Sequence, residues 1–559
     1  MTISAGSTPP STGSLDPRLF PFLTPRQIDR LAAHGRRRTI RAGEVLAETG
    51  DRTRLVFVML AGELEIARQA EDRPEIVSRL GPGQFTGEVG TLAGRPALVC
   101  IRAVADGEVI ELDRDHLRSI LQTDSELGDI LMRAYVLRRV ELIARGSGDV
   151  VILGSKHCAG TMRIREFLIR NDQPYSEIDL DHDADVQALL DRFQVSLADV
   201  PVVICRGQTV LRNPSNEALA DCLGFNASIE VGKTRDLVII GAGPAGLAAA
   251  VYGASEGLDV LMIETSAPGG QAGSSSKIEN YLGFPTGISG HDLAANAYAQ
   301  AQKFGAELMV ARTGTGLECA RRPYRVRVNE DAQAPARAVI IASGAQYRKL
   351  AIPEATRFEG AGIYFSATPM EAQVCADDEV VVVGGGNSAG QAAVFLAQTS
   401  TRVHMLVRSG GLAESMSRYL ILRIQDHPAI DLRFHTEIVG LEGNGHLERV
   451  TWRDRESGET GTQDIRHVFV MAGAVPNTHW LNRCVALDAK GFIKTGADLT
   501  EEELQVAGWP LRRPPFVLET TLPGVFAVGD VRSGSLKRVA SAVGEGSAAV
   551  GLVHRVLQE

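Results

Sequence analysis

Two stretches of this chain have the same local plan, a short apolar strand that runs into a glycine turn and then into a helix. They are Asp236-Leu-Val-Ile-Ile-Gly-Ala-Gly-Pro-Ala-Gly246 and Glu379-Val-Val-Val-Val-Gly-Gly-Gly-Asn-Ser-Ala-Gly390, and Gly524-Val-Phe-Ala-Val-Gly-Asp530 comes much later. Glycines at such a turn let the backbone approach a pyrophosphate, whose charge then sits on the amides of the helix N-terminus. The expected contacts are Gly241, Gly243, Pro244, Ala245 and Gly246 in the first turn, and Gly384, Gly386, Asn387, Ser388 and Ala389 in the second.

The end of the next strand distinguishes the two turns. The strand from Leu258 to Ile263 ends in Glu264, at about the 20-residue spacing of the acid that holds a ribose hydroxyl pair. This assigns the first turn to the ADP half of FAD. The next strand of the second unit, Arg402 to Val407, leads into Arg408 and no acid. A cation there suits the 2′-phosphate of NADPH better than the bare ribose of NADH.

With these motifs the chain resembles the low-molecular-weight thioredoxin reductases over roughly residues 234 to 559. Gly269-Gly-Gln-Ala-Gly273 with Glu279-Asn-Tyr-Leu-Gly-Phe-Pro285 is similar to that family's flavin-side loop. Ala338-Val-Ile-Ile-Ala-Ser-Gly-Ala345 and Val468 to Thr478 resemble its two domain crossovers. The resemblance implies that Gly270, Gln271, Asn280, Gly529, Asp530, Arg538, Val539 and Ala540 reach the flavin ring or its ribityl chain. It also implies a homodimer.

One departure bears on the chemistry. The family carries a redox Cys-x-x-Cys before the second fingerprint, and aligning Gly362-Ile-Tyr-Phe-Ser-Ala-Thr-Pro-Met370 on it puts Ser366 and Pro369 where the cysteines belong. Serine cannot form a disulfide, and proline has neither a reactive group nor a backbone N–H. The acid that comes after the second cysteine becomes Met370. The family's arginine cluster for NADPH is thinned to Arg408, with Arg418 further along. Residues 497 to 515 look like an insertion and are expected to be a solvated loop.

A length of 559 residues with 44% hydrophobic content allows several cores, and a net charge of −10 argues against nucleic-acid binding. Residues 1–16 read as a floppy tail with no signal-peptide pattern, and no apolar run approaches the roughly 18 residues of a membrane span. A cytoplasmic protein is expected. The seven cysteines include no Cys-x-x-Cys and no metal spacing, which suggests reduced, mostly buried thiols and no metal.

Residues 17–146 break into short strands with glycine punctuation between helices, an order similar to the cyclic-nucleotide-binding β-roll. In that family an arginine and a hydroxyl residue clamp the cyclic phosphate, and here Ala97 and Leu98 align with them. Cyclic-nucleotide binding is therefore not expected, although Glu88 and Arg95 remain as polar groups. Residues 149–228 read β-α-β-α-β-β-α and resemble a glutaredoxin or thioredoxin fold, with Val200-Pro201 as its cis-proline site. Cys158-Ala-Gly-Thr161 falls at the Cys-x-x-Cys position with Thr161 in place of the resolving thiol. Cys158, at a helix N-terminus where the dipole favours negative charge, is the catalytic candidate.

The expected architecture is multidomain α/β: β-roll 17–146, thioredoxin-like 149–228, FAD-binding 234–355 and 477–559, and NADPH-binding 356–476. The leading reading is an NADPH-dependent FAD oxidoreductase that passes electrons to a quinone, a ferredoxin-like protein, oxygen or a small thiol. Two alternatives stay open, a disulfide reductase working through Cys158 and a flavin-loaded redox sensor.

Overall fold

A computed structural model describes residues 17–51, 55–68, 75–87, 91–92, 94–144, 150–155, 158–179, 199–205, 209–226, 233–275, 277–330 and 332–559. The expected tail, Glu88 and the helix through Gln187 lie outside these residues. The chain divides into two compact units. One comprises residues 1–150 with 174–176 and 206–208, and the other holds the remainder.

In the first unit Thr24 caps the helix Pro25–Ala32 in a reciprocal box with Gln27. Two small sheets come next. One orders Arg36–Ile40, Gly107–Asp113 and Leu55–Ala61, and the other Val45–Ala47, Cys100–Ala103, Leu64–Arg68 and Glu75–Leu80. The basic run at residues 34–41 is largely a strand, and Arg38 is paired with Glu44 and Glu111. The helices Arg114–Thr123 and Ser125–Ala144 close the unit over a core that includes Phe85 and Tyr135. Ala97 is tied by backbone bonds to Gly50 and Asp51.

The second unit begins with a four-stranded sheet in the order Thr209–Arg212, Val202–Cys205, Val150–Gly154 and Ser176–Asp179, with the helices Ala159–Arg170 and Asn216–Leu223. The Val200-Pro201 peptide is cis.

The first fingerprint opens a seven-stranded sheet. Arg235–Ile240 lies at its centre, parallel to Val260–Glu264 on one side and to Ala332–Ile341 on the other. Val525–Ala527 returns from far along the chain to pair in parallel with Ala332–Ile341. The stretches Leu237–Ile240, Val260–Ile263 and Ala338–Ile341 are continuous buried apolar runs, as in a sheet covered on both faces. The alanine-rich helix Pro244–Ser255 packs on one such face with the C-terminal helix Val539–Leu557. Small side chains allow these helices to approach closely.

The second fingerprint opens a five-stranded parallel sheet, ordered Ile363–Tyr364, His467–Val470, Glu379–Val383, Arg402–Leu406 and Ile430–Arg433. Beside it lies an antiparallel sheet of Thr436–Glu442, Arg449–Asp454 and Thr460–Gln463.

Two expectations are corrected. Cys319 and Cys484 form a disulfide between positions 165 apart in sequence, so the thiols are not all reduced. Of the free cysteines only Cys205 and Cys375 are buried, while Cys100, Cys158 and Cys222 are partly exposed. The sequence could not reveal the pairing, because only the return of the chain after residue 477 brings Cys484 to the end of the strand Gly314–Glu318. The insertion at 497–515 is likewise no simple loop. Thr500 and Glu503 form a capping box that starts the helix Glu501–Ala507, and Arg513 bridges the buried Glu519 and Glu559.

Candidate functional site

The first turn is shaped by what it excludes. Gly241 has φ +102°, where other residues are strained, and a Cβ there would collide with the Ala342 carbonyl. Gly246, inside the helix that leaves the turn, lies so close to the Gly241 carbonyl oxygen that a side chain cannot fit. Gly243 is different: a Cβ on it would meet nothing nearer than 3.9 Å. It is the N-cap of Pro244–Ser255 and leaves the helix amides without a capping side chain. Glu264 ends the neighbouring strand, is buried, and accepts from Ala242 N at 2.8 Å and Ser266 N at 2.9 Å. An open cradle, uncapped helix amides and a fixed acid at the strand end fit the ADP half of FAD.

The second turn repeats the cradle. Gly386 caps Asn387–Leu396 without a side chain, and a Cβ on it would meet only Ser415 O at 3.8 Å. Asn387 Oδ1 accepts from Ser417 N at 2.7 Å, which fixes the loop after the next strand. Gly384 and Ala389 pack the turn itself. Arg408, two residues past Arg402–Leu406, is exposed.

One cavity of about 1150 Å³ joins the two turns. Its wall includes Gly241, Gly243, Pro244, Ala245, Glu264, Gly270, Gln271, Asn280, Gly529, Asp530, Arg538, Val539 and Ala540 from the first half, with Asn387 and Ser388 from the second. Gly246, Gly384, Gly386, Ala389, Arg408 and Cys158 are not in the wall. Gln271 donates its amide to Ala345 O, and Lys537 Nζ donates to Asp530 O at 2.9 Å. Burial raises the Asp530 carboxyl and lowers the Lys537 ammonium from their ordinary values.

The segment that carries Cys158 reaches the same cavity. Its helix Ala159–Arg170 has Cys158 as N-cap and contributes Ala159, Met162, Arg163, Glu166 and Arg170 to the wall. Ala159 lies against the second half, since a Cβ built on Gly360 would sit 3.0 Å from Ala159 Cβ. Pro201 abuts the start of the helix at Gly160, and Thr161 is fully buried against Gly154. The other end of the helix is bonded to the first half. Arg170 Nη2 donates to Gly270 O at 2.8 Å, Asn171 Nδ2 donates to Ser266 O at 3.3 Å, and Asp172 pairs with His291 at 3.0 Å.

Where the resemblance places a dithiol, Ser366 lines the cavity and Pro369 begins the helix Pro369–Val374. Sequence reasoning missed Glu371. It is buried, lines the cavity, and accepts from Thr368 N at 2.8 Å and from Thr368 Oγ1. Burial raises its carboxyl above the ordinary range, and the nearby Glu166 adds to the effect. The signal present in the sequence is an acid one residue beyond Met370, a single step out of the family's register. Cys375 is buried and its thiol is pushed up to about 11 by burial, so it is no nucleophile. Among the described residues no cluster of His, Cys, Asp or Glu could hold a metal.

Comparison with known proteins agrees with this architecture. The family model for pyridine nucleotide-disulphide oxidoreductases matches residues 235–546, and the cyclic nucleotide-binding domain model matches residues 37–124. The thioredoxin reductase of Bacillus subtilis (strain 168) is 32% identical over 329 residues, 58% of this chain and 96% of that protein. NADPH-dependent thioredoxin reductase 3 of Arabidopsis thaliana is 30% identical over 368 residues, 63% of this chain and 65% of that protein. The crystal structure of Lactococcus lactis thioredoxin reductase in its FR conformation superposes with a TM-score of 0.52 at 26% identity, covering 58% of this chain and all of that one. That of T. acidophilum thioredoxin reductase gives the same score and identity over 58% and 99%. Thioredoxin reductases use FAD and NADPH, and both turns fit such dinucleotides. The chain belongs to the pyridine nucleotide-disulphide oxidoreductase family, as a thioredoxin-reductase-like oxidoreductase behind an N-terminal cyclic-nucleotide-binding-type β-roll.

Proposed function

We propose that this protein is an NADPH-dependent FAD oxidoreductase whose electrons leave the flavin without a dithiol at positions 366 and 369. The observation that carries this reading is the single cavity shared by the wall residues of both glycine turns, Gly243 and Glu264 at one end and Asn387 and Ser388 at the other. Bound FAD would accept hydride from the nicotinamide. The residues of this chain hold the two groups together, with the buried Glu371 carboxyl in the wall beside them. The residue roles and domain limits expected from the sequence are retained as part of this proposal, with a cytoplasmic homodimer as the working assembly. No helix among the described residues is long and apolar enough to cross a membrane.

The test is an anaerobic titration of the FAD-loaded protein with NADPH, monitoring the oxidised flavin band. Stoichiometric bleaching is expected; no bleaching defeats the reading and favours a sensor.

A second reading, electron exit through Cys158, is favoured by one observation. Ala159, the residue next to Cys158, touches Gly360 and lines the cavity. Cys158 would displace one thiol from a small disulfide and form a mixed disulfide, whose S–S bond two electrons and two protons would break to leave two thiols, with FAD as the group that would supply the electrons. Turnover with a small disulfide acceptor should fall at least tenfold in Cys158→Ser. Unchanged turnover rules this exit out.

A further inference from the structure

Strands Arg402–Leu406 and Ile430–Arg433 run parallel, so their carboxyl ends lie on the same edge of the sheet, where open α/β sheets bind ligands. The first end continues into Arg408, Ser409 and Gly410. The second continues into His435 and Thr436. Backbone bonds tie the two continuations together: Thr436 N donates to Val407 O at 3.1 Å and His435 N to Ser409 O at 3.4 Å.

Arg455 then joins them from the antiparallel sheet, its N–H donating to His435 O at 2.7 Å. In the same sheet Arg453 is paired in register with Glu437. Their side chains meet as well, with Arg453 Nη2 2.8 Å from Glu437 Oε1 and Arg455 Nε 3.7 Å from Glu437 Oε2. Arg453, and further Arg455 and Arg408, hold the Glu437 carboxyl below its ordinary range. Two guanidinium groups thus face one central carboxylate, Arg408 stands on the adjoining continuation, and all three arginines are exposed. Two further acids lie beside them, each with its own partner. Asp454 accepts the amides of Glu456 and Ser457, and Glu456 faces His435 at 3.4 Å.

We infer that Arg455 and Arg453, supplied by the antiparallel sheet, complete with Arg408 the site that receives the 2′-phosphate of the nicotinamide cofactor. This deepens the NADPH reading and rests on it. Guanidinium groups bind phosphate through two parallel N–H bonds, and three exposed ones stand at this edge. Glu437 positions Arg453 and Arg455, which would otherwise sample many rotamers. The thinned arginine cluster near Arg408 is thereby compensated from a different part of the chain.

The experiment is isothermal titration of the FAD-loaded enzyme with 2′,5′-ADP and with 5′-AMP, for the native protein, Arg455→Ala, Arg455→Lys and Arg453→Ala. These ligands differ only in the 2′-phosphate, and no turnover is involved. The native protein should prefer 2′,5′-ADP by about a hundredfold, and Arg455→Ala should cut that preference about tenfold with 5′-AMP binding unchanged. Arg455→Lys should recover part of it. An unchanged preference in both alanine variants overturns the inference and leaves NADPH binding to Arg408. A native protein that does not discriminate overturns the NADPH reading itself.

Discussion

The two nucleotide-binding halves start from the same turn and diverge at the end of the next strand. In the first, Glu264 is buried and accepts two backbone amides. In the second, Arg408 is exposed and its arginine neighbours lie on another sheet. The first half is also closed by a disulfide and by a long C-terminal helix packed on the turn's own helix. Such a difference separates a pocket that retains its cofactor from one that exchanges it at every turnover. The first turn is thus the buried and cross-linked one, and the second the exposed and charged one.

The comparison can be broken most directly at Gly246. Gly246→Val forces a side chain against the Gly241 carbonyl and should leave protein without retained FAD, read from the absorbance of the purified protein. Retained flavin would show the first turn to be as forgiving as the second. The double variant Cys319→Ser/Cys484→Ser removes a cross-link with no counterpart in the second half. A loss of about 2–4 kcal/mol, or a melting midpoint lower by about 5–10 °C, is expected by calorimetry. An unchanged midpoint would mean that packing alone holds the flavin half closed.

Glu264→Ala sharpens the contrast between the strand ends. It removes the acceptor of the buried Ala242 amide and the half-buried Ser266 amide and should weaken FAD about tenfold to a hundredfold while leaving 2′,5′-ADP binding intact. The smallest effect concerns Glu371. Its folded-state pKa is raised, mainly by burial, so between its ordinary value of 4.5 and that raised value the folded protein binds more protons than the unfolded. Its contribution to stability is most favourable below this window and declines as pH rises through it. Glu371→Gln should flatten that decline, measurable as a midpoint-versus-pH slope, with the native midpoint kept at low pH.

Much of the molecule is legible from sequence where the signal is local. The two glycine turns, Glu264 at its spacing, the Thr24 cap and the β-roll strands all depend on neighbouring residues whose conformational demands are fixed. Cys319 pairing with Cys484, Arg455 arriving beside Arg408, and Ala159 resting on Gly360 are products of chain return. Nothing in the surrounding ten residues announces them. Glu371 is readable in principle, since a carboxylate directly after an apolar, proline-containing segment invites a question about burial. The capped helix at 501–507 is readable too, in the Thr-x-x-Glu at its start.

The helix Ala159–Arg170 stands close to Gly360 of the second half at one end and is bonded at the other, through Arg170, Asn171 and Asp172, to Gly270, Ser266 and His291 of the first. Mechanically it is a strut between the two halves. A swing of one half against the other must part it from one of them, either at Gly360 or at the Arg170, Asn171 and Asp172 contacts. That pair raises the His291 imidazolium above its ordinary range and weakens as His291 loses its proton. Loss of the His291 proton therefore weakens one of the polar contacts that hold this strut to the first half.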